Sequence, residues 1–191
     1  MRAGVPFVTF GRPWGSDEAR HSWVDIDGAA GTAAATRALT DAGYTAVAFI
    51  GWPDSSEVGR DRRAGWDSTL AAEVPRREER VKDDIGEGRA AMARLLAVGA
   101  DAVVCASDSL ATGAMLAWLD AHGCAPAGRL PPVAGFDDTA LARYRGFSSA
   151  RQPLDRAAQE CLRLLVAQLE GKAEPEHLLL PPDVIYRSSA V

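Results

Sequence analysis

Residues 101–118 read DAVVCASDSLATGAMLAW. The opening DAVVCA is apolar almost without interruption and carries two β-branched valines, so it predicts a strand buried on both faces, the pattern of a parallel sheet. Ser107 and Asp108 follow at once, and both are residue types that close the N-terminus of a helix. Leu110, Ala111, Ala114, Met115 and Trp118 then fall on one helical face, and Gly123 ends the helix. The same strand-then-helix unit recurs in both directions. Upstream, VPFVTF at 5–10 and AVAFIG at 46–51 are apolar strands. Helices are expected over the alanine-rich 28–42, over about 60–72, and over 87–98, where Ala91, Met92, Leu95 and Leu96 share a face. Downstream, VAGF at 133–136 is a short strand and 148–151 is extended. Pro153 sits at a first helical position, ahead of a broad stripe of Leu154, Ala157, Ala158, Cys161, Leu162, Leu165 and Leu169. LLLPP and DVIYR at 178–187 are two last short strands. Strands without alternation, separated by helices, define an α/β fold with a parallel sheet flanked by helices.

Composition excludes several classes. The chain has 191 residues, with 21 basic and 26 acidic side chains and a net charge of −5. That balance, with no basic block, does not suit gripping nucleic-acid phosphates. Cys105, Cys124 and Cys161 are far apart, and His21, His122 and His177 show no ligand spacing, so no disulfide framework, metal site or cofactor is expected. No apolar run reaches the roughly 20 residues of a membrane helix. The opening MRAGVPFVTFGRPWG, broken by Pro6, Gly11 and Pro13, does not read as a secretion signal. A reducing, cytoplasmic setting is therefore expected. GAAGTA at 28–33 follows VDID rather than a long apolar strand, which makes it a weak phosphate cradle. The run RREER at 76–80 reads as solvated surface.

The polar residues fall where ligands bind in such sheets, beyond the carboxyl ends of strands. VPFVTF leads to Gly11-Arg12, AVAFIG to Trp52 and the loop before Arg62, DAVVCA to Ser107-Asp108, VAGF to Asp137-Asp138, and 148–151 to Arg151-Gln152. If one sheet sets these strands side by side, the groups converge on one rim. Carboxylates accept paired hydroxyl protons, arginine donates in a planar fork, and glutamine and serine do either. No histidine or cysteine stands at a strand end, so the set suits recognition of a neutral polyhydroxylated molecule rather than nucleophilic or metal chemistry.

These residues also carry a resemblance. V-P-F-V-T-F-G-R, V-D-I-D-G-A-A-G with L-T-D-A-G-Y after it, R-x-x-G-W at 62–66, A-S-D-S-L-A-T-G-A, V-A-G-F-D-D, R-Q-P and the closing L-L-P-P-D-V-I-Y-R-S-S, in that order, resemble the effector-binding domain of the lactose-repressor (LacI/GalR) family of bacterial transcription regulators. The resemblance implies a two-lobed, periplasmic-binding-protein-like fold in which a sugar or nucleobase closes the cleft. It implies that 1–26 and 153–180 form a partial N-terminal lobe and that 27–152 and 181–191 form a nearly complete C-terminal lobe. The helix-turn-helix, hinge and first units of the N-terminal lobe have no counterpart, so the chain reads as a truncated regulator that would reach DNA only through a headpiece it lacks. By resemblance Arg62 is the effector arginine, Asp137 the effector carboxylate, Ser107 stands where many members have asparagine, and Gln152 lies at the lobe crossover. Gly11 replaces a sugar-contacting aspartate, which brings Arg12 or Trp14 forward. The family's aromatic contact before the helix at 87–98 is replaced by VKDDIG.

Alternatives stand beside these assignments. Arg62 also fits a charged surface run, Asp108 fits a helix cap as well as a ligand contact, and one of Asp137 and Asp138 fits a turn. Trp52, Trp66 and Trp118 read as core; Trp14 and Trp23 read equally as core or as sugar platforms. A half-lobe leaves apolar surface on VPFVTF and 154–169, which predicts a homodimer or larger assembly. The expected function is the effector-binding and dimerisation part of a regulator, with a transporter's periplasmic sugar-binding protein as the alternative and no enzymatic activity.

Overall fold

The structure, a computed structural model, describes residues 5–14, 19–123, 130–171 and 174–187. Cys124 and the closing Ser188-Ser189 lie outside the described residues. The chain divides into two compact units, Gly28–Arg151 with Asp183–Val191, and Met1–Asp27 with Gln152–Pro182.

The larger unit is built from α1 (Gly28–Asp41), β3 (Val47–Gly51), α2 (Glu57–Thr69), β4 (Glu78–Arg80), α3 (Ile85–Ala97), β5 (Ala102–Cys105), α4 (Asp108–His122), β6 (Val133–Phe136), α5 (Ala140–Arg145), β7 (Ser148–Arg151) and β9 (Asp183–Ile185). Its six strands run in the order β4-β3-β5-β6-β7-β9. All neighbours are parallel except β7 and β9. Every residue of β3, β5 and β6 is buried, which explains their unbroken hydrophobicity. From β3 the chain steps outward to β4, then returns past β3 to β5, so the strand order reverses between β3 and β5. With right-handed crossovers this places α2 and α3 on opposite faces and opens a crevice at the carboxyl ends of β3 and β5.

Helices pack closely in pairs on these faces. A side chain at Gly65 of α2 would collide with the Ala29 carbonyl and the Thr32 hydroxyl of α1, and one at Gly113 of α4 would collide with the backbone of α3 at Ile85. The alanine-rich sequence of α1 serves the same close approach. In R-x-x-G-W, Gly65 admits α1, while Trp66 is fully buried, lies against Phe49 and donates its indole proton to the Val47 carbonyl at 3.0 Å.

The smaller unit carries β1 (Val8–Phe10), β2 (Ser22–Ile26), α6 (Leu154–Leu169) and β8 (His177–Leu180), with the three strands parallel in the order β1-β2-β8. Val24, Ile26, Ala157, Leu164 and Leu180 form its small core. Phe7, Phe10, Leu154, Leu162, Val166 and Leu169 are exposed.

Two expectations are corrected. The VDID stretch belongs to a strand, β2, whose burial alternates residue by residue; a reading for unbroken apolar runs misses it, because only every second residue of VDID is apolar. The RREER stretch contains β4, an edge strand on β3 made of Glu-Glu-Arg. Charged side chains are how a sheet edge avoids pairing with other chains, and here they hide the strand from a hydrophobicity reading.

Candidate functional site

Arg62 projects from α2 and is only 6% exposed. Its Nη1 donates to the Ala106 carbonyl at 2.5 Å, just beyond β5. Its Nη2 lies 3.5 Å from Asp137 Oδ1, beyond β6. The guanidinium carbon sits 3.7 Å from the centre of the Phe136 ring and 5.0 Å from that of Trp52. A desolvated cation over an aromatic face gains about 2 kcal/mol. Arg62 Nε is buried with no hydrogen-bond partner among the described residues. Burial lowers the Arg62 pKa from its ordinary value, and Asp137, Asp61 and Asp83 oppose that shift. A guanidinium remains charged under such conditions.

Three dipeptides at successive strand ends share one arrangement. Beyond β4, Asp84 caps α3 by accepting from Gly86 N and Glu87 N, while Asp83 Oδ1 accepts the Ser107 hydroxyl proton at 2.5 Å. Beyond β5, Ser107 also accepts from Leu110 N as the cap of α4. Asp108, 1% exposed, accepts from Ser149 Oγ at 2.7 Å and from Thr139 N and Oγ1 at 2.6 and 2.8 Å. Burial raises the Asp108 pKa, and the Ser149 and Thr139 bonds pull against it. Beyond β6, Asp138 is clamped by Arg187 at 2.6 Å and Arg151 at 2.6 Å. Burial would raise its carboxyl pKa, but the two arginines outweigh burial and hold it below the usual value. In each pair the second residue fastens the fold, and Ser107, as the cap of α4, does so as well. The first, Asp83, Ser107 or Asp137, is turned toward Arg62 or its neighbours.

Asp137 and Asp138 both have positive φ, 99° and 45°. Non-glycine residues held there carry backbone strain, a feature that clusters at ligand-binding sites. The Asp137 amide donates to the Ala150 carbonyl at 2.8 Å, which fixes the turn.

Of the expected site residues, Arg62, Ser107, Asp108 and Asp137 thus gather at the carboxyl ends of β5 and β6, with Asp108 committed to internal hydrogen bonds. Arg12, Trp14 and Gln152 belong to the smaller unit, where Arg12 lies over the Trp14 ring at 4.0 Å and pairs with Asp25 at 3.1 Å. Asp83 lies outside the expected set because charge conceals the strand that delivers it, and Phe136 enters the sequence reading only as part of a strand. Cys105 is buried, and burial raises its thiol pKa well above the ordinary value, so it does not supply a thiolate. Among the described residues no group of three or more His, Cys, Asp or Glu is placed to hold a metal ion, and no helix is long and apolar enough to cross a membrane.

The topology is that of a periplasmic-binding-protein-like domain, and the family model described as "Periplasmic binding protein-like domain" matches residues 36–190. Among solved structures, a LacI-family regulatory protein from Chloroflexus aggregans is 36% identical, with a TM-score of 0.84 over 97% of this chain and 69% of that one. The transcriptional regulator CelR in complex with cellobiose is 32% identical, with a TM-score of 0.79 over 96% of this chain and 58% of its own. Among curated proteins, the HTH-type transcriptional regulator CelR of Thermobifida fusca is 34% identical over 98% of this chain and 57% of its length. GalR of Escherichia coli is 29% identical over 80% and 46%. The chain belongs to the LacI/GalR family of transcriptional regulators. It spans about half the length of the curated relatives it matches.

Proposed function

We propose that this chain is the effector-binding and dimerisation part of a sugar-responsive, cytoplasmic regulator. The observation that carries the reading is Arg62, buried at the reversal of strand order and flanked by Ser107 and Asp137. Such a set orients hydroxyls and contains no nucleophile–base pair, so the chain binds its effector without transforming it. The named relatives are regulators, which favours this reading over a transporter's sugar-binding protein; CelR is known in complex with cellobiose, which makes sugars the effector class to try first.

The effector shifts the regulator between two conformations by its different affinity for each. Operator contact belongs to a DNA-binding headpiece of the whole regulator, and self-association to the apolar face of α6.

Thermal-shift titration with a panel of mono- and disaccharides and nucleosides tests the reading. A ligand at a hundredfold excess over its Kd adds about 2.7 kcal/mol of stability. Stabilisation by at least one sugar is expected, lost in Arg62→Ala. No response across the panel overturns the proposal.

A further inference from the structure

The hydrogen-bonding capacity around Arg62 is unbalanced. Ser107 spends its one hydroxyl proton on Asp83, so toward a ligand it can only accept. Arg62 spends Nη1 on the Ala106 carbonyl and directs Nη2 at Asp137. Asp61, Asp83 and Asp137 all act electrostatically on this one buried cation. Asp83 is exposed, at the end of a charged edge strand, and is anchored at a single oxygen by Ser107. Arg62 Nε and the second hydrogens of its Nη atoms are the guanidinium donors left over, against the oxygens of three carboxylates and the Ser107 hydroxyl, so acceptors outnumber donors. A molecule that fits must donate, as sugar hydroxyls do, and must not add negative charge beside the carboxylates.

We infer that Asp83 is the specificity-determining residue of this site, favouring neutral hydroxyl-donating sugars and turning away sugar phosphates and sugar acids. The inference rests on the effector-binding reading above. The physical basis is that Asp83 accepts charge-assisted hydrogen bonds from a neutral sugar and repels an anionic one at short range. Ser107 holds the carboxylate in place, and the single charge of Arg62 is outnumbered by the carboxylates of Asp61, Asp83 and Asp137, which leaves the rim net negative.

The test is calorimetry and thermal shift on the full chain with glucose, galactose and cellobiose set against glucose 6-phosphate, glucuronate and galacturonate. The native chain is expected to bind at least one neutral sugar and none of the acidic ones at equal concentration. Asp83→Asn keeps the shape and removes the charge. It is expected to weaken the neutral sugar about tenfold and to narrow the neutral-to-acidic preference by tenfold or more. Added salt is expected to narrow the preference of the native chain more than that of Asp83→Asn, in which only the Asp61 and Asp137 charges remain to be screened. An Asp83→Asn protein with unaltered affinities, acidic sugars still silent, overturns the role of Asp83. If Arg62→Ala nonetheless abolishes binding, the effector site stands and only this inference falls. If neither sugar class binds the native chain, both fall.

Discussion

The guanidinium of Arg62 rests on the ring of Phe136, 3.7 Å from its centre, and at the same time donates to the carbonyl of Ala106. One side chain thereby joins the ends of β5 and β6 before any ligand arrives. A donor held in advance loses little freedom on binding. Arg62→Ala is expected to weaken sugar binding by a hundredfold or more in calorimetry. Arg62→Lys is not expected to restore it, since an ammonium cannot reproduce the planar fork that reaches a carbonyl and a carboxylate together. Near-native affinity in the lysine variant would contradict this geometry.

Asp108 is expected to matter to stability. Its replacement by alanine strands the Thr139 amide and the Ser149 hydroxyl inside the fold, and hydrogen bonds to a buried charge are worth about 1.5–3 kcal/mol. Urea unfolding should show Asp108→Ala destabilised by about 3 kcal/mol, against about 1 kcal/mol for loss of the cap in Ser107→Ala.

Acid sensitivity should trace to Asp138. Its folded-state pKa lies below the usual value, so its contribution is complete above about pH 4 and disappears as pH falls through the lowered folded value. Melting curves from pH 7 to pH 2 should show a smaller acid-induced drop in Tm for Asp138→Asn than for the native chain. Equal drops would assign the acid limb to other groups.

Gly65→Ala places a methyl group against the Ala29 carbonyl, forcing α1 and α2 apart. Overpacking of this kind costs about 1–3 kcal/mol, and chemical denaturation should place this variant near the upper end. The partner is backbone and cannot swing aside.

The exposed leucines of α6 predict self-association. Leu162 and Leu169 are 63% and 66% exposed on the helix that closes the smaller unit. Sedimentation velocity of the native chain should report dimers or larger species, and Leu162→Glu with Leu169→Glu should shift it toward monomer. A monomeric native chain at micromolar concentration would remove the proposed assembly role of this face.

The α/β architecture was legible because β3, β5 and β6 are buried on both faces and write that burial as uninterrupted apolar sequence. Periodicity likewise exposed α3, α4 and α6. It failed at β2, half-buried and alternating, and at β4, whose edge position calls for charge. The second failure reached the site: with β4 unread, Asp83 had no strand end to stand on. Arg62 and Asp137 could be named as candidates from position and motif, yet the Phe136 ring beneath the guanidinium could not, because a phenylalanine inside VAGF reads the same whether it faces core or cation. Asp108 offered two roles to a reader of sequence, and only three-dimensional neighbours revealed that its oxygens were already taken.

Fastening duty falls on Asp84, Asp108 and Asp138; of the residues just before them, Ser107 shares it as the cap of α4, while Asp83 and Asp137 face the buried arginine. Under the proposed function, mutation at 83 or 137 is expected to retune ligand preference with modest risk to the scaffold, while Ser107 and the adjoining positions tolerate less. On that reading a lineage of regulators diversifies its chemical vocabulary by editing two letters and leaving the frame untouched.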